Sequence, residues 1–386
     1  MESSVKFLTI LGSTGSIGEN ALRVVEAYPE RFTVVGLSAH SNADRLIEQA
    51  RRFHPVIVNI GDESNFEAVK SALASEDIQV SAGRTGLLEL AARDDISLLL
   101  NAIVGVPGME PTIRAVQSGT DVALSNKESL VMAGSLISRL MEEYSTALYP
   151  VDSEHSAVWQ CLVGENLSEV RRIILTASGG PFRTIPRTQF PEITVTEALN
   201  HPNWDMGKKI TIDSATMMNK GFEVIEAHWL FNIPPAFIDI LVHPQSIIHS
   251  MVEFADGSMK AQLGVPDMKI PIQYALLYPE HAPAEWERLD LTSMEELTFE
   301  PPDTEKFQCL KLAYTALEQG GTLPVVLNVA NDAAVYAFLR EQIQFQEIPE
   351  LVWEAMESHD LIQEPALEDI IATEQWTKEF LKHKLL

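Results

Sequence analysis

Val5-Lys6-Phe7-Leu8-Thr9-Ile10-Leu11-Gly12-Ser13-Thr14-Gly15-Ser16-Ile17-Gly18 is the stretch on which the reading of the fold turns. Val5–Leu11 is a short apolar run of strand character, and three glycines follow it directly. Beyond them Leu22, Val25 and Tyr28 recur every third residue, which predicts a helix over Glu19–Tyr28 that Pro29 stops. Glycines between a strand and a helix let the backbone approach a pyrophosphate, and the helix start offers free N–H groups and a positive dipole end. The spacing is GxxGxxG rather than GxGxxG, so a plain turn is the competing reading. Its place behind the opening strand favours a dinucleotide.

Outward from this stretch the strand-and-helix rhythm continues. Apolar runs lie at Thr33–Leu37, Val56–Ile60, Ser97–Val104, Asp121–Leu124 and Ala147–Val151, with helical stretches such as Ala43–Phe53 and Pro111–Gln117 between them. That alternation predicts an α/β fold whose N-terminal domain, residues 1–150, is doubly wound and Rossmann-like. After Val151 the pattern changes. Arg172–Ala177 reads as a strand, and Ile247–Phe254 and Ser258–Gly264 flank Asp256-Gly257, a hairpin signal. A central α/β catalytic domain with a mixed sheet is expected over 151–278. A Pro- and Glu-rich linker follows over 279–303, and a C-terminal helical bundle over 304–386. Helical stretches at Val325–Gln342, Pro349–Ser358 and Ala366–Leu381 build the bundle.

Composition bounds the function. The 386 residues are 46% hydrophobic and 22% charged, as in a globular chain, and too many for a single core. With 28 basic and 55 acidic residues the net charge is −27, which argues against nucleic acid or an anionic membrane as partner. Cys161 and Cys309 have no metal-like spacing and read as reduced structural thiols. No signal peptide and no membrane-length apolar run is seen, so the expected location is cytoplasmic.

Cofactor choice is read near the end of the second strand. Gly36-Leu37-Ser38-Ala39-His40-Ser41-Asn42 holds no carboxylate for ribose hydroxyls, which favours NADPH, its extra phosphate resting on Ser41, Asn42 and His40. Asp152-Ser153-Glu154-His155 presents two carboxylates two residues apart. On extended chain both point one way and suit Mg²⁺ or Mn²⁺; a solvated acidic turn is the alternative. In Met217–Glu226, helical spacing puts Asn219, Lys220 and Glu223 on one face, either a third ligand with its neighbours or an ordinary polar face, with Glu226 a surface or capping charge. Lys127, in Ser125-Asn126-Lys127-Glu128-Ser129, either polarises a substrate oxygen or belongs to a helix start capped by Ser125. Thr176–Phe182 has the small residues of an anion nest. His201–Gly207 sets Trp204 in a loop, as a lid or as an anchor, and His243 and His249 read as structural.

Taken together, Gly12–Gly18, Leu124–Ser129, Pro150–His155, Thr176–Phe182, His201–Gly207 and Ile212–Gly221 resemble the 1-deoxy-D-xylulose 5-phosphate reductoisomerase family over essentially the whole chain. The resemblance implies conversion of that sugar phosphate to 2-C-methyl-D-erythritol 4-phosphate, in the non-mevalonate route to isoprenoids, by a homodimer. It implies metal ligands at Asp152, Glu154 and Glu223, and a substrate-phosphate site at Ser178, Ser214, Asn219 and Lys220 with His201 close by. Lys127 and Ser153 match groups on the sugar backbone, and Glu154 and Glu223 also face substrate. Thr14, Gly15, Ser16, Ile17, Asn126, Glu128 and Gly207 match cofactor contacts; some members carry a basic residue where Ser41 stands. The catalytic set so implied is Lys127, Asp152, Glu154, His201 and Glu223. Two rivals are a simple sugar-phosphate dehydrogenase, which needs no carboxylate metal site, and a nucleotide-sensing protein with a dead site, which needs no intact lysines or carboxylates.

Overall fold

A computed structural model describes residues 5–202, 204, 206–294 and 296–385. The chain opens with β1 (Lys6–Leu11), α1 (Ser16–Ala27), β2 (Phe32–Ala39), α2 (Ala43–Phe53), β3 (Ile57–Ile60), α3 (Phe66–Ala72) and β4 (Gln79–Ala82). It continues with α4 (Gly83–Ala91), β5 (Leu98–Asn101), α5 (Met109–Gln117), β6 (Asp121–Leu124), α6 (Lys127–Tyr144), β7 (Leu148–Pro150) and α7 (Ser153–Leu162). Then come β8 (Val170–Ala177), α8 (Val195–Ala198), α9 (Lys208–Ala215), α10 (Met218–Phe231), β9 (Ile238–Val242), β10 (Ile248–Phe254) and β11 (Met259–Leu263). Five helices end it: α11 (Lys269–Leu277), α12 (Gln308–Gln319), α13 (Leu323–Leu339), α14 (Glu347–Glu357) and α15 (Leu367–Lys384).

Two compact units result. The first comprises 1–129, 137–156 and 267–286, and the second 130–136, 157–266 and 287–386. In the first, seven parallel strands run in the order β4-β3-β2-β1-β5-β6-β7. The strand order reverses beside β1, which pairs with β2 on one side and β5 on the other, so the glycine loop opens at the switch point where such sheets bind ligands. Leu8, Ile10, Leu37, Leu98 and Leu100 are buried, as the interior strands of a helix-covered parallel sheet require. The stretch 267–286, which the sequence reading divides between catalytic segment and linker, packs here instead. Ile272, Ala275, Leu276 and Leu277 of α11 join the core of β1, β2 and α1.

The second unit carries a mixed sheet of order β11-β10-β8-β9, antiparallel except for the β8–β9 pair. The expected Asp-Gly hairpin joins β10 to β11, with Gly257 at φ 85° and Asp256 Oδ1 accepting from the Ser258 N–H at 2.9 Å. The α9 and α10 helices and the C-terminal helices share one core with this sheet, in which Phe222, Leu310, Val326 and Ile348 are fully buried. Among the described residues no helix is long and apolar enough to cross a membrane.

Candidate active site

In the first unit the glycine loop is shaped by two contacts that exclude a side chain. Gly12 has φ 79°, and a Cβ there would lie 2.7 Å from the Ala102 carbonyl oxygen behind β5. A Cβ on Gly18 would lie 2.4 Å from the Gly12 carbonyl oxygen, so the first turn of α1 packs on the loop itself. Thr14 is half-buried, Gly15 and Ser16 are exposed, and Ile17 leans on the core. The N–H groups at the start of α1 thus border an open edge of the sheet. Asn42 caps α2 by accepting from the Arg45 N–H at 3.2 Å, while the Arg45 guanidinium is held by Glu19 at 2.6 Å.

The start of α6 differs from the sequence reading. Asn126, not Ser125, is the cap, accepting from the Ser129 N–H at 2.9 Å. Its amide nitrogen donates to the carbonyls of Ile103 (2.7 Å) and Gly105 (2.8 Å) and to Glu128 (3.2 Å). Asparagine outdoes serine here because one side chain can cap the helix and tie down the loop after β5. Lys127, the first residue of α6, then points its ammonium at Asp152, Nζ to Oδ2 2.5 Å, with side chains 7% and 17% exposed.

Asp152 and Glu154 are not on extended chain. The backbone after Val151 turns at once into α7, with the Ser156 N–H donating to the Asp152 carbonyl at 2.9 Å. Both carboxylates therefore stand at a helix N-terminus, where the dipole favours negative charge. They still converge, since their oxygens lie within 4.8 Å of each other, and Ser153 Oγ donates to Glu154 at 2.7 Å.

The second unit brings together the remaining candidates. Ser178 follows β8 and precedes Gly179 (φ 83°) and Gly180 (φ 66°), a turn only glycine makes without strain. A Cβ on Gly180 would sit 2.7 Å from the Ser214 carbonyl oxygen, so this turn rests on the end of α9. His201 joins Ser178 to the loop beyond. The Trp204 N–H donates to His201 Nδ1 at 3.0 Å, and a backbone N–H can only donate, so Nδ1 is bare. The ring proton then sits on Nε2 and is donated to Ser178 Oγ at 3.2 Å. Burial holds this imidazole below the ordinary histidine value, in keeping with the neutral tautomer. Asn203 and Asp205 of the same loop lie outside the described residues.

Between α9 and α10 the chain passes through Met217 at φ 63°, a left-handed conformation rare for a long side chain. That reversal starts α10 with Asn219 and Lys220 in its first turn. Asn219 Nδ2 donates to Glu223 Oε1 at 2.6 Å and Lys220 is ion-paired to Glu223 Oε2, with Lys220 4% and Glu223 1% exposed. The predicted polar face is therefore a buried charged cluster. Glu226, expected at the surface, is 1% exposed, because α10 is covered on nearly all sides. Ser214 is half-buried on α9, and Gly207 caps α9 from an exposed position. Sequence reading missed Lys209, whose buried ammonium lies 2.8 Å from Asp213 and 2.9 Å from Asp332; the i, i+4 spacing of Lys209 and Asp213 was the available signal.

Three family models match: 1-deoxy-D-xylulose 5-phosphate reductoisomerase over residues 8–134, its C-terminal domain over 148–231, and the DXP reductoisomerase C-terminal domain over 263–380. The reductoisomerase of Chloroherpeton thalassium is 55% identical over 98% of this chain and 98% of its own length. That of Bacteroides fragilis is 49% identical over 97% and 96%. Among solved structures, the Zymomonas mobilis enzyme in complex with NADPH is 42% identical with a TM-score of 0.94, covering 99% of both chains. A DOX-P reductoisomerase in complex with NADPH, fosmidomycin and magnesium is 38% identical with a TM-score of 0.94, covering 99% of this chain and 98% of that one. Likeness of this extent, in sequence and backbone together, establishes that the chain belongs to the 1-deoxy-D-xylulose 5-phosphate reductoisomerase family.

Proposed function

We propose that this chain is an NADPH- and divalent-metal-dependent oxidoreductase that isomerises and reduces 1-deoxy-D-xylulose 5-phosphate to 2-C-methyl-D-erythritol 4-phosphate, for isoprenoid precursors. The observation that carries the reading is the pairing of two carboxylates with lysines, the half-buried Asp152 with Lys127 and the buried Glu223 with Lys220. The hard oxygen donors of these carboxylates fit Mg²⁺ or Mn²⁺. The converging oxygens of Asp152 and Glu154 supply two ligand positions. Glu223 is the third ligand in this reading, and relatives bound to magnesium support it. When bound, the ion supplies Lewis acidity toward substrate oxygens and a template for them.

The chain's own residues do the rest. Ser178, Ser214, Asn219 and Lys220 offer hydroxyl, amide and ammonium donors to the substrate phosphate, and His201 positions Ser178. Lys127 and Ser153 orient the sugar oxygens, and Glu154 and Glu223 border them. Thr14, Gly15, Ser16 and Ile17 present backbone N–H groups to the pyrophosphate at the start of α1, with Asn42 near the ribose. Asn126, its side chain spent on the β5 loop, reaches NADPH through its backbone, with Glu128 and Gly207 as further contacts. The loop ending at Gly207 closes over bound substrate, using phosphate binding energy to exclude water. In this division residues 1–150 hold NADPH, the segment from 151 holds metal and substrate, and 304–386 support from the C-terminal side, while 267–286 pack in the core of the first unit. Function as a homodimer in the cytoplasm completes the proposal.

The test is direct. Purified protein with 1-deoxy-D-xylulose 5-phosphate, Mg²⁺ and NADPH should consume the reduced nicotinamide and yield the branched tetritol phosphate. Oxidation of NADPH that gives an unbranched alcohol would reassign the chain as a simple dehydrogenase.

A further inference from the structure

We infer that Lys209 and Asp332 form a positioning pair through which the C-terminal helices set the substrate-phosphate site. The inference rests on the phosphate-binding reading just given. Lys209, in the first turn of α9, places Nζ 2.8 Å from Asp213 Oδ2 and 2.9 Å from Asp332 Oδ1 on α13. Asn331, the neighbour of Asp332, donates to Asp213 Oδ1 at 2.7 Å. The same ammonium lies 5.1 Å from the ring centre of Phe222, the residue before Glu223 on α10. One buried charge thus joins α9, α10 and α13.

The groups proposed to touch the phosphate adjoin α9: Ser214 lies on it, the turn after Ser178 packs on its end, and Asn219 and Lys220 begin the helix that follows. Ser214 follows Asp213 directly, and its carbonyl is the surface on which the Ser178–Gly180 turn rests. Beyond it, Thr216 Oγ1 donates to the Asp213 carbonyl at 3.2 Å and accepts from the Met218 N–H at 3.3 Å, which leads the chain into Asn219 and Lys220. Asp332 holds this assembly from the side of the C-terminal helices. Leucines would join α9 to α13 without the desolvation that an ammonium and two carboxylates incur. What the ions add is direction: an ammonium set between two carboxylates, one of them also hydrogen-bonded by Asn331, favours one helix register, where apolar packing tolerates several. The sequence hides this role because a lysine four residues before an aspartate looks like an ordinary exposed helix pair.

The experiment compares Asp332→Asn with a control, Leu381→Ala, which opens a cavity in α15 at a side chain 1% exposed and away from α9. Calorimetric titration with inorganic phosphate and steady-state kinetics are run on the full chain. Asp332→Asn should weaken phosphate binding and raise KM for the sugar phosphate in parallel, each about tenfold, a ratio typical of coupling through packed elements. Its KM for NADPH should stay at the wild-type value, and Leu381→Ala should lower Tm without moving phosphate affinity. Should Asp332→Asn not fold, Asn331→Leu, which removes only the amide on Asp213, reads the same parameter. Unchanged phosphate affinity in a folded variant, or an equal loss in Leu381→Ala, overturns the inference. So does a wild-type protein that turns the sugar phosphate over yet binds no inorganic phosphate. Wild-type phosphate binding without turnover would instead sink the enzymatic reading alone, with Asp332→Asn still deciding the positioning role.

Discussion

The buried Lys127 and the half-buried Asp152 meet as an ion pair, Nζ to Oδ2 2.5 Å, one at the first turn of α6 and the other at the threshold of α7. Two helix starts, following β6 and β7, are thus tied by charge at the edge where the parallel sheet ends.

Lys127→Met removes that donor. The expected loss in kcat is about 10²–10³-fold, the usual cost of deleting one preorganised electrostatic group. NADPH binding, followed by fluorescence, should persist, because the glycine loop is untouched. Retention of wild-type kcat would remove Lys127 from the reacting centre.

Glu223→Gln should abolish turnover and weaken Mn²⁺ binding in calorimetric titration, while leaving the protein folded. Chelation of divalent metal should silence the wild type in the same way, with activity restored by Mg²⁺. Full activity in chelator would contradict the carboxylate site.

The His201 imidazole is held neutral by burial and by the Trp204 N–H on Nδ1. Its folded pKa is depressed, so its contribution to stability is present above the unfolded value of about 6.5 and is lost as pH falls toward the folded value. His359 is depressed in the same direction by burial and shares the window. Tm should therefore fall on acidification below about 6.5, and less steeply in His201→Gln than in the wild type. Parallel curves would show that His201 does not couple to folding.

Burial pushes the Cys161 thiol up to about 11 and the Cys309 thiol up to about 12. Neither forms appreciable thiolate near neutrality, so native protein should resist iodoacetamide at pH 8 and label at both positions only when unfolded. Mass spectrometry of the labelled peptides reads the outcome.

Gly18→Ala would set a Cβ 2.4 Å from the Gly12 carbonyl oxygen, a backbone contact that no rotamer relieves. The loop must move, so KM for NADPH should rise while affinity for inorganic phosphate, bound elsewhere, should not. Equal loss of both would point to general unfolding.

Much of this was legible in residue spacing. The strand after Val5, the glycine turn, α1 and the Asp256-Gly257 hairpin are local patterns with local causes, and the structure shows each of them, α1 starting at Ser16 rather than at Glu19. What stayed hidden depends on neighbours distant in sequence. Asp152 and Glu154 look like alternating strand residues because β7 is only three residues long and ends at Pro150, leaving no repeat from which to see α7 begin. Ser125 looks like the better cap until the loop at Ile103 and Gly105 needs a donor that only Asn126 has. Glu226 reads in sequence as a surface or capping charge and Lys209 carries no signal beyond its spacing to Asp213; both are buried in the structure.

The lysines parked on Asp152 and Glu223 have a consequence for how the enzyme is stored and loaded. Acidic pockets without a counterion repel themselves apart, and many metalloproteins loosen when stripped. Lys127 beside Asp152, and Lys220 beside Glu223, each supply that counter-charge from the chain itself, so protein kept in chelator should melt close to protein given Mg²⁺. Were Asp152 and Glu223 to hold a dication, the ammoniums of Lys127 and Lys220 would be available to an anionic substrate. Sugar phosphate should therefore bind more tightly after the ion than before it, an order of loading written into the resting charges.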